Sequence, residues 1–325
     1  MSVAAAPVTL PVVPPWPWPS LATGWCRLLQ TFCDELPGNE TVGWELACRL
    51  GPEGIHTGRL LLGLRPTGAR GRLASLPARL GLPADASRAF ADGLATCHQV
   101  FLAAEQGPGG VLAKLYLEWP VPMAVLRPEP GTRPAPALQM RGWKWAVDPQ
   151  SGSLPTAAQA LRTTDYLRWP LPSSAAALAL LREGRGAADD ARPALALVAA
   201  ALARALARSN AGFDPALLLV HEPGSPRASC AVRLLDSGLR AAALDADISR
   251  LSALWRLDAR AAAACMAAIA ERELSWLAAG TDHRGQAFLT LYAEASSLDL
   301  QHAMHRQDAP AAAIASPLQP LHCAP

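Results

Sequence analysis

The sequence predicts an α+β fold in which repeated α-β-β units form an antiparallel β-barrel, or a strongly curved sheet, with helices on its outer face. Three observations predict it. Four times a helix-compatible stretch rich in Ala, Leu and Arg precedes one or two short strand-like stretches. Those short stretches alternate apolar residues with charged or aromatic ones, which gives each strand one greasy and one polar face. Gly and Pro bound them, as expected where strands begin and end.

The first unit is a helix over 21–32, read from Leu21, Trp25, Leu28, Leu29 and Phe32, followed by strands 43–50 and Gly58–Arg65 across Gly51, Pro52 and Gly54. A second helix over 85–105 precedes Gly110–Glu118 and then, past a proline-rich excursion, a strand over 138–147. A third helical region, 173–209 with a break at 184–186, leads to strands 216–222 and 229–236, joined by the turn Pro223-Gly224-Ser225-Pro226. The fourth, 247–279, leads to a strand over 286–294, and a short strand is possible at 239–244.

Bulk properties bound the rest. A chain of 325 residues that is 51% hydrophobic can bury a full core. No long polar linker divides it, so 20–298 reads as a single domain, 1–19 as a Pro/Trp-rich extended arm and 299–325 as a low-complexity tail. A net charge of +2 with 17% charged residues gives no electrostatic case for nucleic acid. The opening residues lack a positive n-region and their prolines forbid a continuous helix, and Arg and Asp interrupt every other apolar run, so no membrane span is read. The seven cysteines are scattered without a C-x-x-C pair, which points to a reducing cytoplasm. The Pro/Trp arm is a candidate surface for a protein partner.

Strand parity assigns the faces. Leu60, Leu62 and Leu64 oppose Arg59, Leu61, Gly63 and Arg65; Ala113, Leu115 and Leu117 oppose Leu112, Lys114, Tyr116 and Glu118. Ala287, Leu289, Leu291 and Ala293 oppose Phe288, Thr290, Tyr292 and Glu294, and Leu46 and Cys48 oppose Glu45, Ala47 and Arg49. Arg233 opposes Cys230, Val232 and Leu234, whereas the strand 138–147 is ambiguous, with Arg141, Trp143 and Trp145 against Met140, Lys144 and Ala146. An open sheet with one solvated face would alternate in the same way. A lined cavity is favoured because the charges are sparse and accompanied by aromatic rings.

Consecutive α-β-β units closing a barrel around a polar, aromatic-lined chamber resemble the aromatic prenyltransferases of the ABBA (αββα) type. Two segments carry the resemblance: Ala113-Lys114-Leu115-Tyr116-Leu117, similar to that family's K-x-Y strand, and Gly280-Thr281-Asp282-His283-Arg284-Gly285 leading into Phe288-Leu289-Thr290-Leu291-Tyr292, similar to its closing strand. The resemblance implies transfer of an allylic prenyl group from a prenyl diphosphate to an aromatic small molecule, without a cofactor. Arg59, Lys114 and Arg233, with Arg49 in reserve, would hold the diphosphate, on which negative charge accumulates as the carbon–oxygen bond breaks. Tyr116 and Tyr292 would shield the allylic cation. Glu45, Glu118 and Glu294 are alternative bases for the proton lost by the acceptor. The family's barrel has ten strands, whereas seven are read here besides the possible short one. A non-catalytic binding or assembly protein using the same chamber, or the arm, is the alternative. No D-D-x-x-D magnesium motif is present and no metal site is expected, since His302, His305, His322 and Cys323 fall in or beside the low-complexity tail. Gly107-Pro108-Gly109-Gly110 reads as a helix stop, Cys26 and Cys33 as small buried hydrophobes, and Trp143, Trp145 and Trp169 as residues near the chamber or its rim.

Overall fold

The computed structural model describes residues 16–35, 40–68, 70–107, 110–121, 135–148, 161–169, 174–183, 187–208, 213 and 215–295. Its helices are α1 (Thr23–Cys33), α2 (Arg70–Arg79), α3 (Ala84–Leu94), α4 (Ser174–Glu183), α5 (Arg192–Arg208), α6 (Asp245–Leu254) and α7 (Ala259–Ile269). Its strands are β1 (Glu40–Gly51), β2 (Gly54–His56), β3 (Gly58–Arg65), β4 (Gln99–Gly107), β5 (Gly110–Glu118), β6 (Ala137–Val147), β7 (Arg162–Arg168), β8 (Leu217–His221), β9 (Ala228–Arg233), β10 (Leu274–Thr281) and β11 (Ala287–Glu294).

Every strand pairing is antiparallel, and the order runs from β11 back through β10, β9, β8, β7, β6, β5, β4 and β3 to β1. Then β1 pairs with β11, Glu45 to Leu50 against Glu294 to Leu289, and the sheet closes on itself. Ten strands thus make a barrel, while the short β2 continues the line of β3 along the far end of β1. Closure leaves the barrel no open edge and gives it an inside, so the open-sheet alternative does not hold.

The outer face is the greasy one. Leu46, Cys48, Leu60, Leu62, Leu64, Leu102, Leu115, Leu117, Leu289 and Leu291 are buried in one cluster with Trp25, Leu28, Phe32, Phe90 and Val198 of the helices. Fully burying a side chain of this size is worth about 2 kcal/mol, so this layer dominates stability. Cys48 of β1 and Cys265 of α7 bring their sulfurs together in the outer core, a juxtaposition that the scattered cysteine spacing did not suggest.

Residues 16–19 are not a free arm. Trp16 and Trp18 are buried against Trp25, with Trp18 and Trp25 ring centroids 5.4 Å apart. Trp16 Nε1 donates to the Thr57 carbonyl at 2.9 Å, and the Thr57 hydroxyl donates to the Pro17 carbonyl at 2.5 Å. Thr57 is the residue that separates β2 from β3. The two tryptophans are therefore core, unavailable to a protein partner; residues 1–15 lie outside the described residues.

Several elements differ from the expectation. The helix read over 85–105 ends at Leu94, and Gln99–Gly107 is a strand; the alanines at 103 and 104 disguise an alternation in which Val100, Leu102 and Ala104 face outward. The region 247–279 is likewise two helices followed by the strand β10. Strand β7 was not read at all, because Arg-Thr-Thr-Asp-Tyr-Leu-Arg has a single strongly apolar side chain on its outer face. The stretch 239–244 is a 3-10 turn, Ala241–Leu244, beside one isolated bridge between Arg240 and Glu273. Gly107 and Gly110 are ladder partners, so they bound a hairpin rather than stop a helix. Trp143 and Trp145 point outward, Trp143 packing edge-on against Phe90 with centroids 5.6 Å apart, and Trp169 also packs on the outer core. Their strand β6 turns Met140 and Lys144 inward, which settles its ambiguous parity.

Candidate active site

The inner faces enclose a cavity of about 680 Å³. Glu45 and Arg49 of β1, Arg59 of β3, Lys114, Tyr116 and Glu118 of β5, Arg233 of β9, and Tyr292 and Glu294 of β11 all line it. So do Glu105 of β4, Lys144 of β6, Arg162 and Tyr166 of β7, Arg227 just before β9, and Asp282 in the β10–β11 turn. All three tyrosines of the chain face this one space.

One end is cationic. Arg49 Nη2 lies 2.7 Å from Asp282 Oδ2, and its guanidinium stacks 4.3 Å from the Phe288 ring centroid. Asp282 is held by its own turn, where Oδ1 accepts from the backbone N–H of Arg284 at 2.8 Å and of Gln286 at 3.1 Å. Arg59 Nε lies 3.2 Å from Glu105 Oε2, its Nη1 donates to Thr290 Oγ1 at 3.2 Å, and its guanidinium lies 5.9 Å from the Tyr292 ring. Lys114 Nζ donates to the same Glu105 oxygen. Glu222, which follows β8, receives Arg162 at 3.7 Å, Arg227 at 3.6 Å and the Thr164 hydroxyl at 3.2 Å. Lys144 Nζ lies 5.8 Å from the Tyr166 ring, with no ion-pair or hydrogen-bond partner among the described residues.

Burial governs the charges here. It pushes Lys114 down to about 8 despite Glu105, and Lys144 well below the ordinary lysine value, helped by Arg227 and Lys114. Burial alone would raise Glu105, but Arg59, Lys114 and Arg49 hold it well below the usual carboxylate range, so it is an anion. Burial also keeps the phenols of Tyr116 and Tyr166 neutral, and their rings meet edge to face at 5.9 Å.

Beyond the cations lies an apolar wall of Leu218, Ala231, Ala278 and Phe288, against which Met140, Tyr166, Trp276 and Tyr292 pack. The opposite end is acidic. Glu45 and Glu294 are direct ladder partners, and Glu118 accepts from Gln139 Nε2 at 2.7 Å. Burial raises the Glu45 carboxyl to about 7, reinforced by the neighbouring Glu118 and Glu294. Burial raises Glu118 as well. Arg49 and Glu45 are four residues apart on β1, so the two ends are separated by about 13 Å.

The structure therefore gathers Arg49, Arg59 and Lys114 with Tyr116 and Tyr292, and gathers Glu45, Glu118 and Glu294 elsewhere. It does not bring Arg233 to the cationic end: that residue pairs with Asp236 at 2.8 Å, opposite Trp276 and within electrostatic reach of Glu118. Sequence reasoning left Lys144 on a strand of ambiguous parity and missed Arg162, Tyr166, Arg227 and the carboxylates Glu105 and Glu222 that accompany them. The pattern Arg162-x-Thr164-x-Tyr166 was a readable signal, since its polar residues share one face of a strand.

The fold and chamber together define a closed αββ barrel with a polarised, tyrosine-walled interior. No protein-family model and no curated protein matches the chain. Solved structures that are similar in shape include 5-dimethylallyltryptophan synthase from Streptomyces coelicolor, with 16% identity over 79% of this chain and 82% of that one and a TM-score of 0.48. AnaPT from Neosartorya fischeri has 14% identity over 77% and 78%, with a TM-score of 0.42. NotF in complex with brevianamide F and DMSPP has 12% identity over 78% and 81%, with a TM-score of 0.36. These neighbours are aromatic prenyltransferases of the αββα-barrel type. At such scores the likeness says nothing of activity, which has to come from the chamber's own residues. Among the described residues no helix is long and apolar enough to cross a membrane.

Proposed function

We propose that the barrel transfers an allylic prenyl group from a prenyl diphosphate to an aromatic acceptor. The observation that carries this reading is the meeting of Arg59 and Lys114 with Tyr116, Tyr166 and Tyr292 inside one barrel cavity. Cations at the leaving group lower the barrier to heterolysis, because the electron pair of the carbon–oxygen bond departs with the diphosphate. Arg49, Arg59 and Lys114, joined by Arg227 and Lys144, would fill that role. The tyrosine faces stabilise the resulting carbocation, and the apolar wall of Leu218, Ala278 and Phe288 keeps water from it. The acceptor ring lies toward the acidic end, attacks the cation with its π electrons, and gives its proton to a carboxylate. Of the three glutamates Glu45 is best suited, because a base near 7 is half ionised at neutral pH.

A second reading has its own support. Arg49, Arg59, Lys114, Arg162 and Arg227 are all paired with carboxylates already, which suits a non-catalytic protein that binds an uncharged small molecule. Titration with geranyl and dimethylallyl diphosphates separates the two. Saturable binding that is weakened at least tenfold by Lys114→Ala supports transfer chemistry, and no binding by the intact protein leaves the binding-protein reading. Localisation in the cytoplasm, and any role in secondary metabolism, would follow from the first reading and belong to it.

A further inference from the structure

Lys144 is a buried cation of the chamber that pairs with no carboxylate among the described residues. It is buried to 5% exposure, and its amine opens on the cavity rather than on a carboxylate. The charged groups that face it come from every neighbouring strand: Lys114 from β5, Arg162 from β7, Arg227 from the start of β9, and Glu222 from the end of β8. Tyr166 of β7 adds only a ring face. Three cations and one carboxylate, itself held between Arg162 and Arg227, surround an amine removed from water. An ammonium there would be poorly hydrated and would share its one carboxylate with two arginines, and the group sheds its proton to avoid that cost.

The charge count of the cationic end then becomes uneven. Arg49, Arg59, Lys114, Arg162 and Arg227 face Glu105, Asp282 and Glu222, leaving a surplus of two positive charges. At the rim Glu53 and Arg284 cancel, and burial lowers His56 and pushes His283 down to about 4, so neither adds charge. A fully ionised organic diphosphate carries three negative charges. Its third has no partner unless one more cation appears, and Lys144 is the group placed to supply it.

We infer that Lys144 is a neutral amine in the empty barrel and becomes an ammonium as the diphosphate enters, so that ligand uptake draws one proton from solution. This rests on the diphosphate reading above and extends it, by making the ligand's own charge create part of its site. The amine nitrogen accepts a proton from solvent or buffer; no covalent bond is made or broken in the ligand. Ligands of lower charge would not drive the protonation, which gives the site a preference for diphosphate over monophosphate beyond the contacts each makes.

Isothermal titration with geranyl diphosphate, repeated at about pH 7.5 in buffers of different ionisation enthalpy, counts the protons taken up. The expected uptake approaches about one per ligand, somewhat more if Lys114, which sits at about 8, contributes. Lys144→Met should lose most of that uptake and bind at least tenfold more weakly. Lys144→Arg should lose the uptake while keeping affinity within a few-fold, since arginine stays charged when buried. Binding with no uptake by the unmodified protein, or uptake that Lys144→Met leaves in place, overturns the inference while sparing the diphosphate reading. No binding at all overturns both.

Discussion

Lys114 of β5 and Glu105 of β4 are hydrogen-bonded on the diagonal of their ladder, and Arg59 of β3 grips the same carboxylate at 3.2 Å. One buried anion thus organises cations from the strands on both sides of it. Glu105→Gln would leave two buried cations without their counter-ion, a loss of about 3 kcal/mol. The expected outcome is a lower melting temperature that geranyl diphosphate restores more strongly than it raises that of the unmodified protein. Thermal melts with and without the ligand measure both effects.

The tyrosine walls should govern the fate of the carbocation more than the affinity for its precursor. Tyr292→Leu removes a ring beside Arg59 at the apolar wall, and a cation–π contact in such a setting is worth about 1–2 kcal/mol. Turnover should fall roughly 5- to 30-fold, with prenyl alcohol from water capture rising at the expense of the aromatic product. Tyr292→Phe should change little. Product analysis by chromatography distinguishes the two variants.

Two titrating groups set a pH profile. Glu45, raised to about 7, gains its base form as pH rises through that value, and Lys114, lowered to about 8, loses its charge above it. A bell-shaped kcat/KM with limbs near 7 and 8 is expected, and Glu45→Gln should abolish the acid limb along with most of the rate.

Stability carries an independent sign for Glu45. Its folded carboxyl is harder to ionise than an unfolded one, so the folded state holds the extra proton and loses stability as pH climbs from about 4.5 to about 7. Glu45→Gln should therefore stabilise the fold at pH 8 by about 3 kcal/mol, read as a higher melting temperature, and leave it nearly unchanged at pH 4. Calorimetry at the two values tests this without any substrate.

Gly142 of β6 is the ladder partner of Tyr116, and the Tyr116 ring lies directly over it. A methyl group at that position would collide with the ring. Gly142→Ala should cost about 1–3 kcal/mol and displace Tyr116 from Tyr166, visible as a changed tyrosine environment in near-ultraviolet circular dichroism.

How much of this was legible in the sequence follows from what a strand shows on its own. Parity alone put Arg59, Lys114, Tyr116 and Tyr292 on a shared polar face, because β3, β5 and β11 alternate cleanly against leucines. It could not say how far apart those residues stand around the barrel, since register belongs to pairs of strands; Arg233 has the right parity yet sits toward the acidic end. Glu105 was hidden because the alanines at 103 and 104, strong helix formers, made the run before Gly107 read as helix. Tyr166 was hidden because β7 turns Thr163, Asp165 and Leu167 outward, too polar a set to announce a covered face. Lys144 was seen, but its two flanking tryptophans made either face of β6 plausible until the outer helices claimed the rings.

The seam between β1 and β11 has a consequence for how the polypeptide can be re-cut. The earliest and latest staves of the hoop lie side by side from Glu45 to Leu50 and from Leu289 to Glu294, so a tether from the end of β11 to the segment before Trp16, which keeps α1 and its tryptophans, could join the chain while new termini open at the Pro223–Pro226 turn. Such a permuted chain should keep the hoop intact, whereas trimming away β11 would leave β1 and β10 as raw margins able to recruit a neighbouring molecule.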